Sequence, residues 1–232
     1  MTLVYIRGFS MRRLLVVMFI LLLVGLILAQ WLGSNAQKPH LPWDIKPLDS
    51  GATQVFDLDI GRLTLKEMMQ KLHKIAEVNV FEDKHGDRLL EAYFSKMKLG
   101  VLEAVLIAEL DIEAKKLAYF IRKSNVNDRA ATPSGRWKYV LTETLRQQVN
   151  QLRVWRLIYI PVAEYNEVTL NKQFGTPNSK EVLSENLSYW YYPAKGLVIL
   201  YDTSGSEIFY YVAQDEFERL KTALPKQKQE IR

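Results

Sequence analysis

The sequence predicts an α+β protein in which an N-terminal transmembrane helix is followed by antiparallel sheet with short helices. Two observations indicate this fold class. An uncharged apolar run lies near the N-terminus, and the remaining chain alternates between short segments of helical and of strand periodicity, separated by turn-forming residues. Hydrophobic residues make up 48% and charged residues 25% of the chain. This composition is typical of a region that buries a core.

The apolar run covers residues 14–29 (LLVVMFILLLVGLILA) and contains no charge. Gln30, Trp31 and Leu32 extend it to nearly the length that a bilayer core requires, about 20 residues. We therefore predict a transmembrane helix over 14–32. Its membrane-contacting side chains include Leu14, Phe19, Leu23, Leu28 and the interfacial Trp31.

The orientation follows from the charges around this run. Arg7, Arg12 and Arg13 precede it, whereas the next cation is Lys38. The positive-inside rule therefore predicts that residues 1–13 are cytoplasmic and that the bulk of the chain is exported to the periplasm from a bacterial inner membrane. The alternative is a cleaved signal peptide, since Ser34-Asn35-Ala36 has small residues at a cleavage-like spacing. Translation from Met11 is a second open alternative.

Charge and cysteine content narrow the function classes. The net charge of +5 falls to +2 when Arg7, Arg12 and Arg13 are removed, so the exported region is nearly balanced and we expect no nucleic-acid binding. The absence of cysteine excludes disulfides, thiol catalysis and a lipidated cysteine. Export without disulfides favours the bacterial envelope.

A tether and a first α+β module are predicted after the membrane helix. Residues 33–54 contain Pro39, Pro42 and Pro47, which indicates a semi-extended tether. The first module is assigned to 55–123. It begins with a helix that contains Leu65, Met68, Met69 and Leu72 behind Thr64 as N-cap, and it continues with strands at 78–81, 89–94 and 101–110 and a helix at 112–122.

A loop at 124–136 separates this module from a second one at 137–224. We predict a helix at 139–152, a strand at 154–160 and a short helix marked by Val168, Leu170 and Phe174. A meander of strands follows at 180–183, 187–192, 197–201 and 207–212. Phe217 and Leu220 indicate a closing helix, and residues 225–232 are a polar tail.

Part of the second module resembles a known family. Val168-Thr169-Leu170 before Phe174-Gly175-Thr176-Pro177, the aromatic strand 189–192 and the run 196–199 are similar to the SmpA/OmlA (BamE-like) family, which includes the small lipoprotein of the outer-membrane β-barrel assembly machinery. A weaker second copy begins at Gly61. The resemblance covers about a quarter of the chain and implies a helix-plus-sheet scaffold used for protein contacts. It leaves open one compact module or two modules in tandem, as in β-lactamase-inhibitor-like proteins. The chain lacks the family's lipidated cysteine.

Signals for metal, cofactor or catalysis are weak. His40, His73 and His85 have no second ligand at metal-binding spacing, so we expect no metal site and no cofactor. Ser204 lacks a nearby base. The carboxylate pairs Asp57 with Asp59 and Asp215 with Glu216 could in principle perform acid and base chemistry on a glycan, but such pairs are more often helix caps or solvated charge.

The unusual feature is the aromatic strand Tyr189-Trp190-Tyr191-Tyr192, whose side chains load both faces of the predicted sheet. One interpretation is that the chain itself covers both faces. The other is an exposed platform that binds a partner through Trp190, Tyr192 and Tyr210. Arg146, Arg153 and Arg156 could likewise meet an anionic partner or form an ordinary solvated face.

Together these observations predict a non-enzymatic, membrane-anchored envelope protein that contacts the bilayer through its N-terminal helix and binds another envelope protein. An envelope enzyme or glycan-binding protein that acts on cell-wall polymer is the alternative.

Overall fold

The computed structural model describes residues 18–25, 40–124 and 129–225. The chain divides into two compact units, 1–39 and 40–232. In the first unit, residues 18–25 are helical. The second unit holds all the elements named below, and it begins within the segment that the sequence assigns to a tether.

A three-stranded antiparallel sheet opens the second unit. Its strands β1 (Lys46–Pro47), β2 (Thr53–Val55) and β3 (Leu58–Ile60) lie in chain order. Phe56 at the turn between β2 and β3 stacks on Tyr159, with ring centroids 5.2 Å apart. Within the proline-containing segment, Trp43 packs edge-on against Tyr165 and Phe174, and the Tyr211 hydroxyl donates to the Pro42 carbonyl at 2.8 Å, so residues 40–54 lie against the core.

The main sheet has ten strands among the described residues, and each strand is antiparallel to its neighbours. Its order is β10-β11-β12-β13-β9-β6-β5-β4-β8-β7. The strands are β4 (Glu77–Glu82), β5 (Arg88–Leu99), β6 (Leu102–Leu110), β7 (Ala130–Ala131), β8 (Trp137–Val140), β9 (Val154–Pro161), β10 (Ser179–Ser184), β11 (Leu187–Tyr192), β12 (Leu197–Asp202) and β13 (Ile208–Val212).

Five short α-helices accompany the sheet in the described part of the second unit. The first begins as the sequence predicts, because Thr64 accepts the Glu67 N–H while the Glu67 carboxylate accepts the Thr64 N–H, which is a capping box. They are α1 (Leu65–Leu72), α2 (Ala114–Lys123), α3 (Glu143–Val149), α4 (Glu167–Phe174) and α5 (Phe217–Ala223).

The sequence leaves open one compact module or two tandem modules, and the continuous main sheet corresponds to one module. Strands β6 and β9, one from each predicted module, pair from Ala104 with Pro161 to Leu110 with Val154. Both are largely buried on both faces, so an unpaired edge on either would leave backbone groups without partners in an apolar environment. Pairing removes that cost and fuses the strands into one sheet.

The predicted transmembrane helix is not found. Among the described residues, no helix is long and apolar enough to cross a membrane. The helical residues 18–25 fall inside the predicted span of 14–32, and its other residues lie outside the described part of the chain.

Residues 137–140 differ from the sequence prediction as well. They form β8 beside β4, and the helix predicted over 139–152 is confined to Glu143–Val149. The Tyr139 hydroxyl donates to Glu82 on β4 at 2.6 Å. This long-range contact, which local periodicity cannot show, holds the segment in the sheet.

Each face of the sheet has its own core. One face carries a large cluster that includes Phe94, Tyr159 and Trp190 and is covered by α1 to α4 and the small sheet. The other face carries a smaller cluster that includes Trp155 and Tyr210 and is covered by α5 through Phe217 and Leu220. The aromatic second half is thus covered on both sides from within the chain.

Candidate functional site

The clearest surface for a partner is the edge of the main sheet at β10. This strand pairs with β11 along one side, and it stands at the end of the strand order. Five of its six residues are exposed. An edge strand presents unpaired backbone N–H and C=O groups, which can pair with an extended segment of another chain.

Helix α4 lies beside this edge. Asn166 caps the helix by accepting the Thr169 N–H at 2.8 Å. The Lys180 ammonium on β10 then reaches the Glu167 carboxylate in the first turn of α4, also at 2.8 Å. The ion pair places the start of the helix next to the beginning of the edge strand.

Two exposed valines flank that ion pair. Val168 follows Glu167 on α4 and is 76% exposed, and Val182 lies two residues from Lys180 on the same strand face and is 75% exposed. We call the corner made by β10 and α4 the β10 edge. It combines two apolar side chains, one charge of each sign and a strand that has no neighbour on its outer side among the described residues.

Side chains of the aromatic strand β11 contact both β10 and the end of α4. The Lys180 ammonium lies 3.7 Å from the Trp190 ring centroid, and the Tyr191 hydroxyl donates to Glu181 at 2.5 Å. The Tyr192 hydroxyl donates to the Gly175 carbonyl at the end of α4. Burial raises the pKa of Tyr192 to about 12, and burial followed by the bond to Glu181 raises the pKa of Tyr191, so both stay neutral donors.

The three residues predicted to bind a partner are buried. Trp190, Tyr192 and Tyr210 are 1%, 2% and 0% exposed. Trp190 and Tyr192 lie in the large core and Tyr210 in the smaller one, where burial raises its pKa well above the ordinary value. A partner role for them stays a prediction, but their burial means that the proposed function has to depend on other residues.

Each candidate catalytic carboxylate is engaged by a basic or amide side chain. Asp57 pairs with His40 at 2.7 Å, and Asp59 accepts from Gln54 at 2.8 Å. Asp215 pairs with Arg62, and Glu216 pairs with Arg153 and Arg219. Within the described ranges no cluster of three or more histidine or carboxylate groups could hold a metal ion.

The basic residues singled out from the sequence are engaged in ion pairs. Arg153 bonds to Glu216 and Asp111, and the Glu216 bond is the first cause of its raised pKa. Arg156 pairs with Glu109, with both side chains nearly buried. Arg146 donates to the Leu141 carbonyl. These contacts favour a structural role for the three arginines.

A polar cleft opens at the N-terminus of α4. Its volume is about 470 Å³, and Glu164, Tyr201, Asp202, Ser204 and Glu207 contribute to its lining. Two of the carboxylates are occupied by backbone groups, since Asp202 accepts the Ser204 N–H at 2.8 Å and Glu207 accepts the Tyr165 N–H at 3.1 Å. The cleft is suited to polar binding more than to acid and base chemistry.

The predicted membrane-contacting residues are described in part. Phe19 and Leu23 lie in the helical segment 18–25 and are 65% and 44% exposed. Leu14, Leu28 and Trp31 lie outside the described residues.

Comparison with known proteins gives no relative. The sequence matches no protein-family model, and neither a curated protein nor a solved structure is significantly similar to the chain. The resemblance to the SmpA/OmlA family therefore stays a prediction.

Proposed function

We propose that the chain is a non-enzymatic, membrane-anchored protein-interaction module that acts in assembly or maintenance of the bacterial cell envelope. Its N-terminus is cytoplasmic, its bulk is periplasmic, and its partner is another envelope protein. The SmpA/OmlA resemblance, which implies a scaffold for protein contacts, belongs to this proposal.

The observation that carries the proposal is the β10 edge. A monomer normally blunts a sheet edge with short strands, charges or a covering element. Strand β10 carries Lys180, Glu181 and a register shift after Val182, but it keeps Val182 at 75% exposure, and Val168 on the neighbouring α4 is 76% exposed. An extended partner segment added to β10 would pair with its backbone and cover both valines.

Membrane attachment is supported by the apolar N-terminal segment. Its described residues 18–24 are all apolar, and each is at least 44% exposed. Contiguous exposed aliphatic groups of this kind mark contact with a membrane or a partner. The positive charges before the segment favour a cytoplasmic N-terminus.

The test is crosslinking of the full chain in detergent-solubilised envelopes, followed by mass spectrometry, with three proteins compared. They are the wild type, the double variant Val168→Asp with Val182→Asp, and the control Val101→Asp. Val101 is 77% exposed but lies on a different hairpin, so it matches the chemistry of the change. We expect one partner to be captured by the wild type and the control and lost from the double variant.

If the double variant, folded by circular dichroism, captures the same partner as the wild type, the β10 edge is not the interface. If none of the three proteins captures a partner, the interaction function itself is wrong.

The cleft beside α4 favours a second candidate, which is binding of a cell-wall glycan. Its volume of about 470 Å³ is in the range of small-ligand sites, and Tyr201 offers an aromatic surface next to polar groups. The Trp190 ring centroid lies 5.0 Å from that of Tyr201. Titration of the full chain with soluble peptidoglycan fragments should therefore change its tryptophan fluorescence, and this change should be lost in Trp190→Phe.

A further inference from the structure

Helix α2 carries a concentrated positive charge on its outer side. Four of its residues are basic and none is acidic. Leu117 and Phe120 are buried in the large core, so the opposite side of the helix faces solvent. We call that side the basic face of α2. It consists of five exposed residues, Lys115, Lys116, Tyr119, Arg122 and Lys123.

The helical repeat arranges the four cations in two stripes. Residues seven apart lie on nearly the same side of a helix, so Lys115 aligns with Arg122 in one stripe. Lys116 aligns with Lys123 in the other. The two members of a stripe are roughly 10.5 Å apart along the helix axis. Tyr119 is three or four residues from every one of the cations and therefore lies between the stripes.

Local helix stability does not explain this pattern. Lys115 and Lys116 lie in the first turn, where the helix dipole favours carboxylates and disfavours ammonium groups. Glu113 at the N-cap makes no side-chain bond that caps the helix. The dipole stabilises Arg122 and Lys123 alone, because they lie in the last turn. The basic first turn therefore indicates a contact outside the helix.

The described part of the chain supplies no counter-charge for the basic face. None of its four cations forms an ion pair with a described residue. Asp111, a carboxylate just before the helix, is engaged by Arg153 and Arg219 instead. The Lys116 ammonium lies 5.9 Å from the Phe120 ring centroid, which is a weak contact at an exposed site. An acidic partner would relieve the repulsion among the four like charges.

The basic face is well separated from the β10 edge in the order of the main sheet. Helix α2 packs on β4 and β5, which lie toward the end of the sheet that β7 terminates. Strand β10 terminates the other end, and five strands stand between β10 and β5. The two surfaces can therefore be occupied at the same time.

We propose that the basic face of α2 binds an acidic helix of a protein partner. Carboxylates seven residues apart on such a helix have the same spacing as the cations in each stripe, roughly 10.5 Å. Tyr119 adds an aromatic contact at the centre, of a type that is enriched at protein interfaces. A lipid surface offers no fixed spacing, and the apolar side of α2 that would enter it is already packed on the sheet. Binding here goes beyond the proposed function and does not depend on the β10 edge.

Two labelled peptides of equal composition test this recognition. Each is an alanine-based peptide of about 20 residues, which is long enough to be helical. In the striped peptide, four glutamates form two pairs seven residues apart on one face of the helix. In the scattered peptide, the same four glutamates are distributed around the helix. Binding to the full chain in an uncharged detergent is followed by fluorescence anisotropy.

Two variants that lose the same net charge are compared with the wild type. The face variant replaces the four cations of the basic face with Gln. The control variant replaces with Gln four exposed lysines that are scattered over the second unit and also lack an ion pair with a described residue. These are Lys66, Lys84, Lys98 and Lys172.

We expect the striped peptide to bind the wild type and the control variant about tenfold or more tightly than the face variant, with affinity falling as salt is added. The scattered peptide should bind the wild type more weakly than the striped one. Absence of binding to the wild type, equal losses in both variants, or equal binding of both peptides would each overturn the proposal. Vesicles of phosphatidylglycerol that retain the wild type but not the face variant, without peptide binding, would assign the basic face to lipid instead.

Discussion

Single residues at close backbone contacts have effects that the structure predicts sharply, and Gly196 is the clearest case. Its φ is 57°, and a Cβ at this position would lie 2.2 Å from the Val212 carbonyl oxygen and 2.6 Å from Thr53 Oγ1. We expect Gly196→Ala to lower the free energy of unfolding by about 2 kcal/mol or more, because strain and a backbone clash add. Urea denaturation measures this.

Gly135→Ala is the matched control. Gly135 has a φ of 79° but has nothing within 4 Å of its Cβ direction, so only backbone strain of about 1 kcal/mol applies. Equal losses in the two variants would contradict the close contact at Gly196.

The bond between Tyr139 and Glu82 predicts a pH effect. The Tyr139 hydroxyl donates to Glu82 at 2.6 Å and is the first cause of the lowered pKa of that carboxylate, followed by opposing burial and by Arg88. A carboxylate with a lowered folded pKa contributes stability above its unfolded pKa of about 4.5, and that stability is lost as pH falls through the folded pKa.

We therefore expect Tyr139→Phe to raise the pKa of Glu82 in an NMR titration. The stability difference between wild type and variant should be largest above pH of about 5 and shrink on acidification. A Glu82 pKa that does not change in the variant would show that the bond is not formed.

At the scale of elements, α5 is the cover of the smaller core. Leu220 is fully buried there, the Arg219 guanidinium lies 3.9 Å from the Trp155 ring centroid, and the Tyr189 hydroxyl donates to the Pro225 carbonyl. We expect Leu220→Ala to destabilise the protein by about 2–5 kcal/mol. It should also increase binding of a hydrophobic dye, since Tyr189 and Tyr210 lose their cover.

Glu218→Ala on the same helix is the control. Its side chain is 82% exposed and forms a surface pair with Lys221, so a change within about 0.5 kcal/mol is expected. A small effect from both variants would indicate that α5 is not packed as described.

The elements that the sequence predicted well are those with local signals. The cap at Thr64, the strands β4 and β9, and the meander β10 to β13 follow from periodicity and turn residues within each segment. The strand at Trp137–Val140 was missed because its contacts with β4 lie about 60 residues away in sequence. The edge position of β10 could not be predicted either, because it depends on the order of all the strands in the sheet.

At the scale of the whole molecule, the sequence predicts a partner surface on the aromatic strand β11, whereas the structure exposes the neighbouring strand β10. Aromatic side chains on both faces of β11 correctly indicate that both faces are packed against other groups. A single sequence does not reveal whether those groups belong to the same chain or to a partner. The structure supplies it from both sides, with Tyr192 in the large core and Tyr189 in the smaller one. Strand β11 is therefore buried beside the exposed strand β10 and is not itself the exposed surface.

The continuous sheet predicts that the second unit unfolds as one cooperative structure, despite the two halves that the sequence indicates. Leu157 on β9 pairs with Ala108 on β6 and with Tyr211 on β13, and it is fully buried. The two halves of the main sheet, β4 to β6 and β9 to β13, meet where β6 pairs with β9. If either half unfolds, the apolar faces of β6 and β9 become exposed to water. We expect Leu157→Ala to lower the protection of amides in β5 and β12 equally in hydrogen exchange, each by about 2–5 kcal/mol. Persistent protection in β10 to β13 after β4 to β6 have exchanged would contradict a single cooperative unit and would support two independent modules joined by a weak seam.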